Sequence, residues 1–199
     1  MAINFANNSS LANITSLPAS ISGGGLTLVS SQTASASASL EFSMDSSYDS
    51  YVFKFINCHP SNDGVYLNFQ ASTNGGSSYG VTLTSTFFRS LHNEADDSTN
   101  LEYRTARDLA QSTSFQNLTE ATGNDNDQSC SGILTIFAPS STIFVKHWLS
   151  TNNTYHNNDF SMNVNSAGYF NTTSAITNLK FQFSSGTIDD GIIKMYGVA

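Results

Sequence analysis

Charge is scarce in this chain, and basic charge above all: Asp, Glu, Lys and Arg make up 11% of it, with seven Lys plus Arg against fifteen Asp plus Glu and a formal net charge of -8. No cluster of basic residues is present to neutralise a row of phosphates, which argues against nucleic-acid binding. Long apolar runs are missing too. Nothing approaches the ~18 residues of a spanning helix, and no basic segment followed by an apolar one comes after Met1, so neither a membrane span nor a secretory signal is recognisable and a cytoplasmic folding environment is expected. Cysteine is limited to Cys58 and Cys130. Two cysteines in strand-like contexts do not make a disulfide framework, and buried free thiols are the expectation. The sequons that begin at Asn13, Asn117, Asn152 and Asn171 are what chance produces in a chain so rich in Asn and Thr.

What is present is apolar and aromatic. Hydrophobic residues are 39% of the chain and aromatics 12%, set among Ser, Thr and Asn, a β-rich composition with an uncharged polar skin. The length suits one domain that buries roughly 70% of the surface of its unfolded chain. The stretch from Tyr51 to Gln70 is the strongest local signal. Two runs of β-branched and aromatic residues flank Pro60 and Asp63-Gly64, which reads as an antiparallel hairpin at the centre of a sheet. Tyr51, Phe53 and Phe55 share one face, as do Val65, Leu67 and Phe69, whereas Lys54, Asn68 and Gln70 fall on faces that water is expected to reach.

The rest of the chain follows the same grammar. Residues 1–25 carry Ile3, Phe5, Leu11, Ile14 and Leu17 at irregular spacing, broken by Pro18 and ended by three glycines, which suits an extended arm lying on this domain or a neighbouring copy. Strands are expected at Leu26–Val29, Thr33–Phe42, Tyr79–Phe88, Ile133–Phe137, Thr142–Leu149, Phe160–Tyr169, Leu179–Phe183 and Ile192–Val198, the fourth and fifth of these forming a second hairpin. Leu101–Leu109 suits a helix or a strand, with the alternation leaning toward a strand. Loops are expected at Ser72–Ser78, His92–Asn100, Gly123–Ser129 and Thr151–Asn158. The pattern as a whole predicts an all-β, antiparallel β-sandwich of jelly-roll-like form over residues 26–199, with the N-terminal arm in front of it.

Two stretches carry a resemblance. Tyr51-Val52-Phe53-Lys54-Phe55-Ile56-Asn57 followed by His59-Pro60 and Asp63, and Ser184-Ser185-Gly186 leading to Ile193-Lys194-Met195-Tyr196-Gly197-Val198, resemble segments of short β-sandwich proteins on the surface or tail fibres of tailed bacteriophages, marine ones especially. The resemblance spans nearly the whole chain, rests on fold motifs and transfers no catalytic residue. It implies a non-enzymatic structural component of a virion, assembled in the host cytoplasm and displayed on the particle surface. Its implied partners are identical copies, most simply as a trimer, and other virion proteins such as the major capsid or tail proteins. Tail fibres of this kind carry a shaft or attachment domain upstream, whereas here the sandwich starts almost at once, which favours a small decoration or cement subunit.

Serines and His59, His92, His147 and His156 supply the types of a nucleophilic triad without a Gly-x-Ser-x-Gly elbow, and the carboxylates gather in loops, which a solvated face explains. Asn124-Asp125-Asn126-Asp127 matches only the start of a calcium loop, lacking the sixth-position glycine and the distal glutamate. No catalytic residue, metal or cofactor is therefore assigned. The alternative function is a glycan-binding adhesin at a tail-fibre tip, in which Trp148, Tyr155 and Tyr169 stack on sugar rings and Asn152, Asn153 and Asn157 bond their hydroxyls to hold a host surface glycan. Ile3, Phe5, Leu11, Ile14 and Leu17 are the expected oligomer contacts.

Overall fold

The computed structural model describes residues 25–199, which form an antiparallel β-sandwich without helix. Its strands are β1 (Thr27–Thr33), β2 (Leu40–Ser43), β3 (Ser50–Pro60), β4 (Leu67–Ser72), β5 (Leu83–Asn93), β6 (Thr99–Tyr103), β7 (Gln116–Asn117), β8 (Cys130–Phe137), β9 (Lys146–His156), β10 (Phe160–Phe170), β11 (Asn178–Phe183) and β12 (Ile188–Val198). One sheet has eight strands in the order β1-β12-β3-β8-β9-β10-β5-β6, and the other has four in the order β2-β11-β4-β7.

Only β5–β6, β8–β9 and β9–β10 are hairpins within a sheet; every other connection carries the chain from one sheet to the other. The Tyr51–Gln70 unit is therefore not a hairpin. Both of its strands exist, but β3 pairs with β12 and β8, while β4 pairs with β11 and β7 in the opposite sheet. The connection at Pro60–Gly64 is an arch. Its two apolar faces look at each other across the interior instead of lying side by side, which buries more apolar surface than an open hairpin would.

The interface between the sheets is aromatic. Phe181 of β11 meets Phe53 and Phe55 of β3 at 5.2 Å, Phe42 of β2 at 6.0 Å and Phe69 of β4 at 6.3 Å between ring centroids. Phe69 in turn meets Trp148 of β9 edge-on at 5.1 Å. Each well-oriented pair adds about 0.5–1.5 kcal/mol beyond area burial. Gly168 of β10 makes room for that indole, since a Cβ there would stand 2.7 Å from Trp148 Cζ2 and 2.4 Å from Thr84 O.

Burial is not confined to the alternating apolar faces. All six residues of β4 are buried, so Asn68 and Gln70, expected in water, are inside. The chain between β6 and β8 returns across them: Gln70 Nε2 donates to Thr113 O and Ser114 O, both at 2.9 Å, and its Oε1 accepts from Ala71 N at 2.7 Å. The Gln70 amide is tolerable in the interior because its groups find partners. Other boundaries also moved. The expected Thr33–Phe42 strand is interrupted between β1 and β2, where Ala36 has φ 48°. Strand β5 starts at Leu83 and runs on to Asn93, so only its turn keeps the expected His92–Asn100 loop. Strand β9 begins at Lys146 and continues through the expected Thr151–Asn158 loop to His156, because Thr151 and Asn153 pair with both neighbouring strands and point out from the sheet, where polar side chains cost little.

The same returning segment carries a charge cluster. All three arginines of the chain, Arg89, Arg104 and Arg107, converge on Glu120, whose side chain is 3% exposed. Arg89 Nη1 lies 3.3 Å and Arg104 Nε 3.0 Å from Glu120 Oε1, while Arg107 Nε is 3.6 Å from Oε2. Glu102 accepts from Arg89 Nε at 2.8 Å, and Arg107 stacks over the Tyr66 ring at 4.1 Å while donating to its hydroxyl at 2.6 Å. The cluster fixes the covering segment to β5 and to the chain just before β4. Replacing Glu120→Gln leaves three guanidinium groups around a neutral amide and is expected to cost about 3 kcal/mol in urea unfolding. The exposed Glu94→Gln control changes stability by less than ~0.5 kcal/mol.

Cys58 and Cys130 are direct register partners on β3 and β8, free and buried, with Cys130 Sγ donating to Cys58 O at 3.4 Å. The hydrogen bond with the Cys58 thiol, together with burial, pushes the Cys130 thiol well above its ordinary range. With thiolate formation opposed at Cys130 and access closed at both, neither cysteine is expected to react with Ellman's reagent in native buffer. Both should react in guanidinium, and a thiol titrating in the native protein contradicts this packing.

Candidate functional site

The strand order divides the large sheet into two halves with different support. Strands β1-β12-β3-β8 make one half of the large sheet and β9, β10, β5 and β6 extend it, with Phe69 of the four-stranded sheet reaching Trp148 of β9 and Phe170 of β10. The inner side of this extension is covered by the segment between β6 and β8, through contacts such as Asn152 Nδ2 donating to Leu118 O at 3.1 Å and Leu109 N donating to Ser85 Oγ at 2.9 Å. Its outer side is exposed. The two hairpins β5–β6 and β9–β10 thus present a supported, flat, solvent-facing surface.

Register places this surface residue by residue. One row across the sheet runs Tyr196, Val52, Thr135, Leu149, Ala167, Thr86, and Leu28 of β1 continues it beyond Tyr196. The next row holds Lys194, Lys54, Ile133, Thr151, Asn165, Phe88 and Tyr103. Leu149 is 55% exposed and Ile133 and Phe88 are 44% exposed, so apolar side chains recur across the face. Beyond the Thr151 row the surface turns polar. Thr151 Oγ1 donates to Asn165 Oδ1 at 2.9 Å, Asn165 Nδ2 to Asn163 Oδ1 at 2.7 Å, and Asn153 Nδ2 to Ser161 Oγ at 3.0 Å.

Two cavities open on the extension. The first, about 290 Å³, is lined by Thr84, Thr86, His147, Leu149, Ala167 and Tyr169 along the middle of the sheet. His147 and Tyr169 sit across from each other at its edge, with ring centroids 6.1 Å apart. The second, about 350 Å³, lies at the end of the strands where Tyr155 of β9, Ser161 of β10 and His92 of β5 occupy one rung, with Asn153, Glu94 and Phe160 around them. Glu94 N donates to Asp159 O at 3.0 Å, which ties the β5–β6 turn to the β9–β10 turn and closes this end. A third cavity of about 400 Å³, lined by Asn57, His59, Asn126, Asp127, Gln128 and Asp190, lies beside bulges in β3 and β12; there His59 Nδ1 is 2.6 Å from Gln128 O.

Of the residues expected to form one glycan site, Tyr155 and Asn153 share a cavity and the others lie apart from them. Trp148 is fully buried against Phe69 and cannot offer a face to a sugar. Tyr155 and Tyr169 both face outward but stand eight rungs apart on the β9–β10 ladder, ~27 Å at ~3.4 Å per residue. Asn157 donates to Asp63 Oδ2 at 3.3 Å and lies against Gly64 near the arch. Ile3, Phe5, Leu11, Ile14 and Leu17 lie outside the described residues. Asn124 and Asp125 of the calcium-like stretch serve turn bonds, with Asn124 Nδ2 donating to Ser61 O at 3.2 Å and Asp125 N to Gln128 Oε1 at 3.1 Å. His92, Glu94 and Ser161, which share the cavity with Tyr155 and Asn153, are not grouped with them by the sequence. The one signal for them was alternation across two Asn- and Ser-rich strands whose pairing the sequence does not state.

The fold and this surface define a class: an antiparallel β-sandwich with a widened, open sheet face. The sequence matches no protein-family model and no curated protein.

Electrostatics mark the end cavity. The Glu94 carboxylate accepts the Tyr155 hydroxyl, and this bond, with some loss of solvent, pushes the phenol up to about 12 from its ordinary 10.0. Deprotonation there would set a phenolate beside a carboxylate, so the shift is upward. In an ultraviolet titration, the tyrosine signal lost on Tyr155→Phe is expected to be one that ionises near pH 12. The Glu94→Gln substitution should return that signal toward the ordinary value, and no change on Glu94→Gln counts against the contact.

Proposed function

We propose that this chain is a non-enzymatic structural subunit of a tailed-phage particle, a decoration, cement or appendage component on the outer surface, assembled from identical copies. The observation that carries the reading is a knob and a hole on one chain. Ile143 and Phe144, at the tip of the connection between β8 and β9, are 73% and 71% exposed, while the cavity beside Leu149, Ala167 and Tyr169 stays open. The tip leaves its own chain's cavity unfilled, so a second copy is the occupant that matches both parts. Apolar knobs of this kind gain from insertion into an apolar hole.

A knob and a hole at different places on one chain make a heterologous contact, which closes into a ring when the rotation permits, and a trimer is the expected ring. The face is wide enough to support it. Eight strands at ~4.8 Å spacing span about 34 Å, and a band ~20 Å deep gives on the order of 700 Å² per copy, close to the ~800 Å² per partner of a stable interface. Charge supports the same pairing. Lys54 and Lys194 are neighbours on one side of the face, and Glu94, Asp96 and Asp97 project from the opposite side, so a displaced copy can set one against the other. We read the alternation β1-β12-β3-β8 over β2-β11-β4-β7 as a jelly-roll wrap into which the hairpins β5–β6 and β9–β10 are inserted. The resemblance of the β3 and β12 segments to phage surface proteins supports the particle as the place where the copies assemble, beside major capsid or tail proteins.

Sedimentation velocity tests the assembly. The wild type is expected to run as a trimer, and Phe144→Ser or Leu149→Lys as a monomer with an unchanged circular-dichroism spectrum and melting temperature, since both side chains are exposed. A wild type that stays monomeric at high concentration, or variants that sediment like the wild type, overturns the contact. Antibody labelling of intact particles checks the location, and particles that carry none of the protein overturn the virion role.

A further inference from the structure

The cavity at the end of β5, β9 and β10 has a chemistry of its own, separate from the knob and hole and independent of the assembly reading. Tyr155 and His92 stand on strands either side of β10, with Ser161 between them on the same rung. Two strand spacings put their backbones ~10 Å apart, the width of one ring-shaped ligand held between two side-chain rings. The floor is amide and hydroxyl: Asn153 donates to Ser161 Oγ at 3.0 Å and to Met162 O at 3.4 Å, leaving its own oxygen for a ligand. From the floor, Asn163, Asn165 and Thr151 continue the same donors and acceptors along the sheet.

We infer that this cavity is a binding site for a neutral carbohydrate, with Tyr155 and His92 flanking a sugar ring and Asn153 and Ser161 bonding its hydroxyls. Amide and hydroxyl side chains both donate and accept, as sugar hydroxyls do, and aromatic rings cover the apolar face of a pyranose. The sign of the local charge selects among sugars. Glu94 lines the cavity and Asp96 lies 3.0 Å from His92 Nε2, so sialylated or uronate-bearing glycans meet carboxylates where neutral ones do not. Trp148 takes no part, and neither does Tyr169 at the far end of the ladder.

The test is a printed array of neutral, sialylated and uronate-bearing oligosaccharides probed with the full chain, followed by titration calorimetry on the neutral glycan best retained. Tyr155→Ala and His92→Ala are each expected to weaken that glycan at least tenfold with melting temperature unchanged. Tyr169→Ala is expected to leave it within twofold, and Glu94→Gln to raise retention of acidic glycans. Retention of no neutral glycan, retention of acidic glycans alone, or binding that survives Tyr155→Ala overturns the site. A monomeric Phe144→Ser variant that still binds separates this result from the fate of the assembly reading.

Discussion

Phe181 sits where the two sheets meet, with Phe42, Phe53, Phe55 and Phe69 around its ring, and this aromatic junction sets the spacing on which the other contacts depend. Rings from both layers interlock edge to face, an arrangement that satisfies their quadrupoles and excludes water together. Because β3 contributes Phe53 and Phe55 from one sheet and β4 contributes Phe69 from the other, the chain must arch over at Pro60–Gly64. The fold is thereby committed to crossing between sheets at most of its connections.

The inner side of β9, β10, β5 and β6 meets the small sheet through Phe69, which touches Trp148 and Phe170, and has to be covered further over the rest of its area. The segment from Arg104 to Thr122 does this with side-chain amides, hydroxyls and the Glu120 cluster more than with apolar contacts. A polar seam holds only if its groups are paired, which is why three arginines are gathered on one carboxylate with Glu102 beside it. The extension is held firmly from beneath, so its outer side is free to carry surface chemistry. Both cavities and much of the exposed apolar band lie on it. The scaffold and the surface are thus separable parts of one sandwich, and assembly and ligand recognition can occupy different stretches of the same eleven-residue strands β5, β9 and β10.

Reading the sequence recovered the class and most of the strands. Tyr51, Phe53 and Phe55 face inward as their alternation required, and the hairpin around Ala138–Ser141 pairs as expected, although its second strand starts only at Lys146. The errors share one cause. Tyr51–Gln70 looked like a hairpin because its turn residues suit one, yet turn chemistry cannot tell a reversal within a sheet from an arch between sheets. Asn68 and Gln70 looked wet because a lone two-layer sandwich exposes such residues, and only the returning segment between β6 and β8 buries them. The glycan residues were grouped by type, and the ladder then separated Tyr155 from Tyr169 and sent Trp148 into the core.

By itself the sequence determined the period: which side chains alternate, where strands break, and that aromatic faces must be covered, because these depend on bonds between neighbours along the chain and on the pleat. The tertiary structure decided partnership. It chose which strand lies beside which, brought Arg89, Arg104 and Arg107 to Glu120, and set Tyr155 one strand away from Ser161 and two from His92. Those contacts join residues tens of positions apart, and their energy exists only once the whole sandwich has closed, so no local pattern records them.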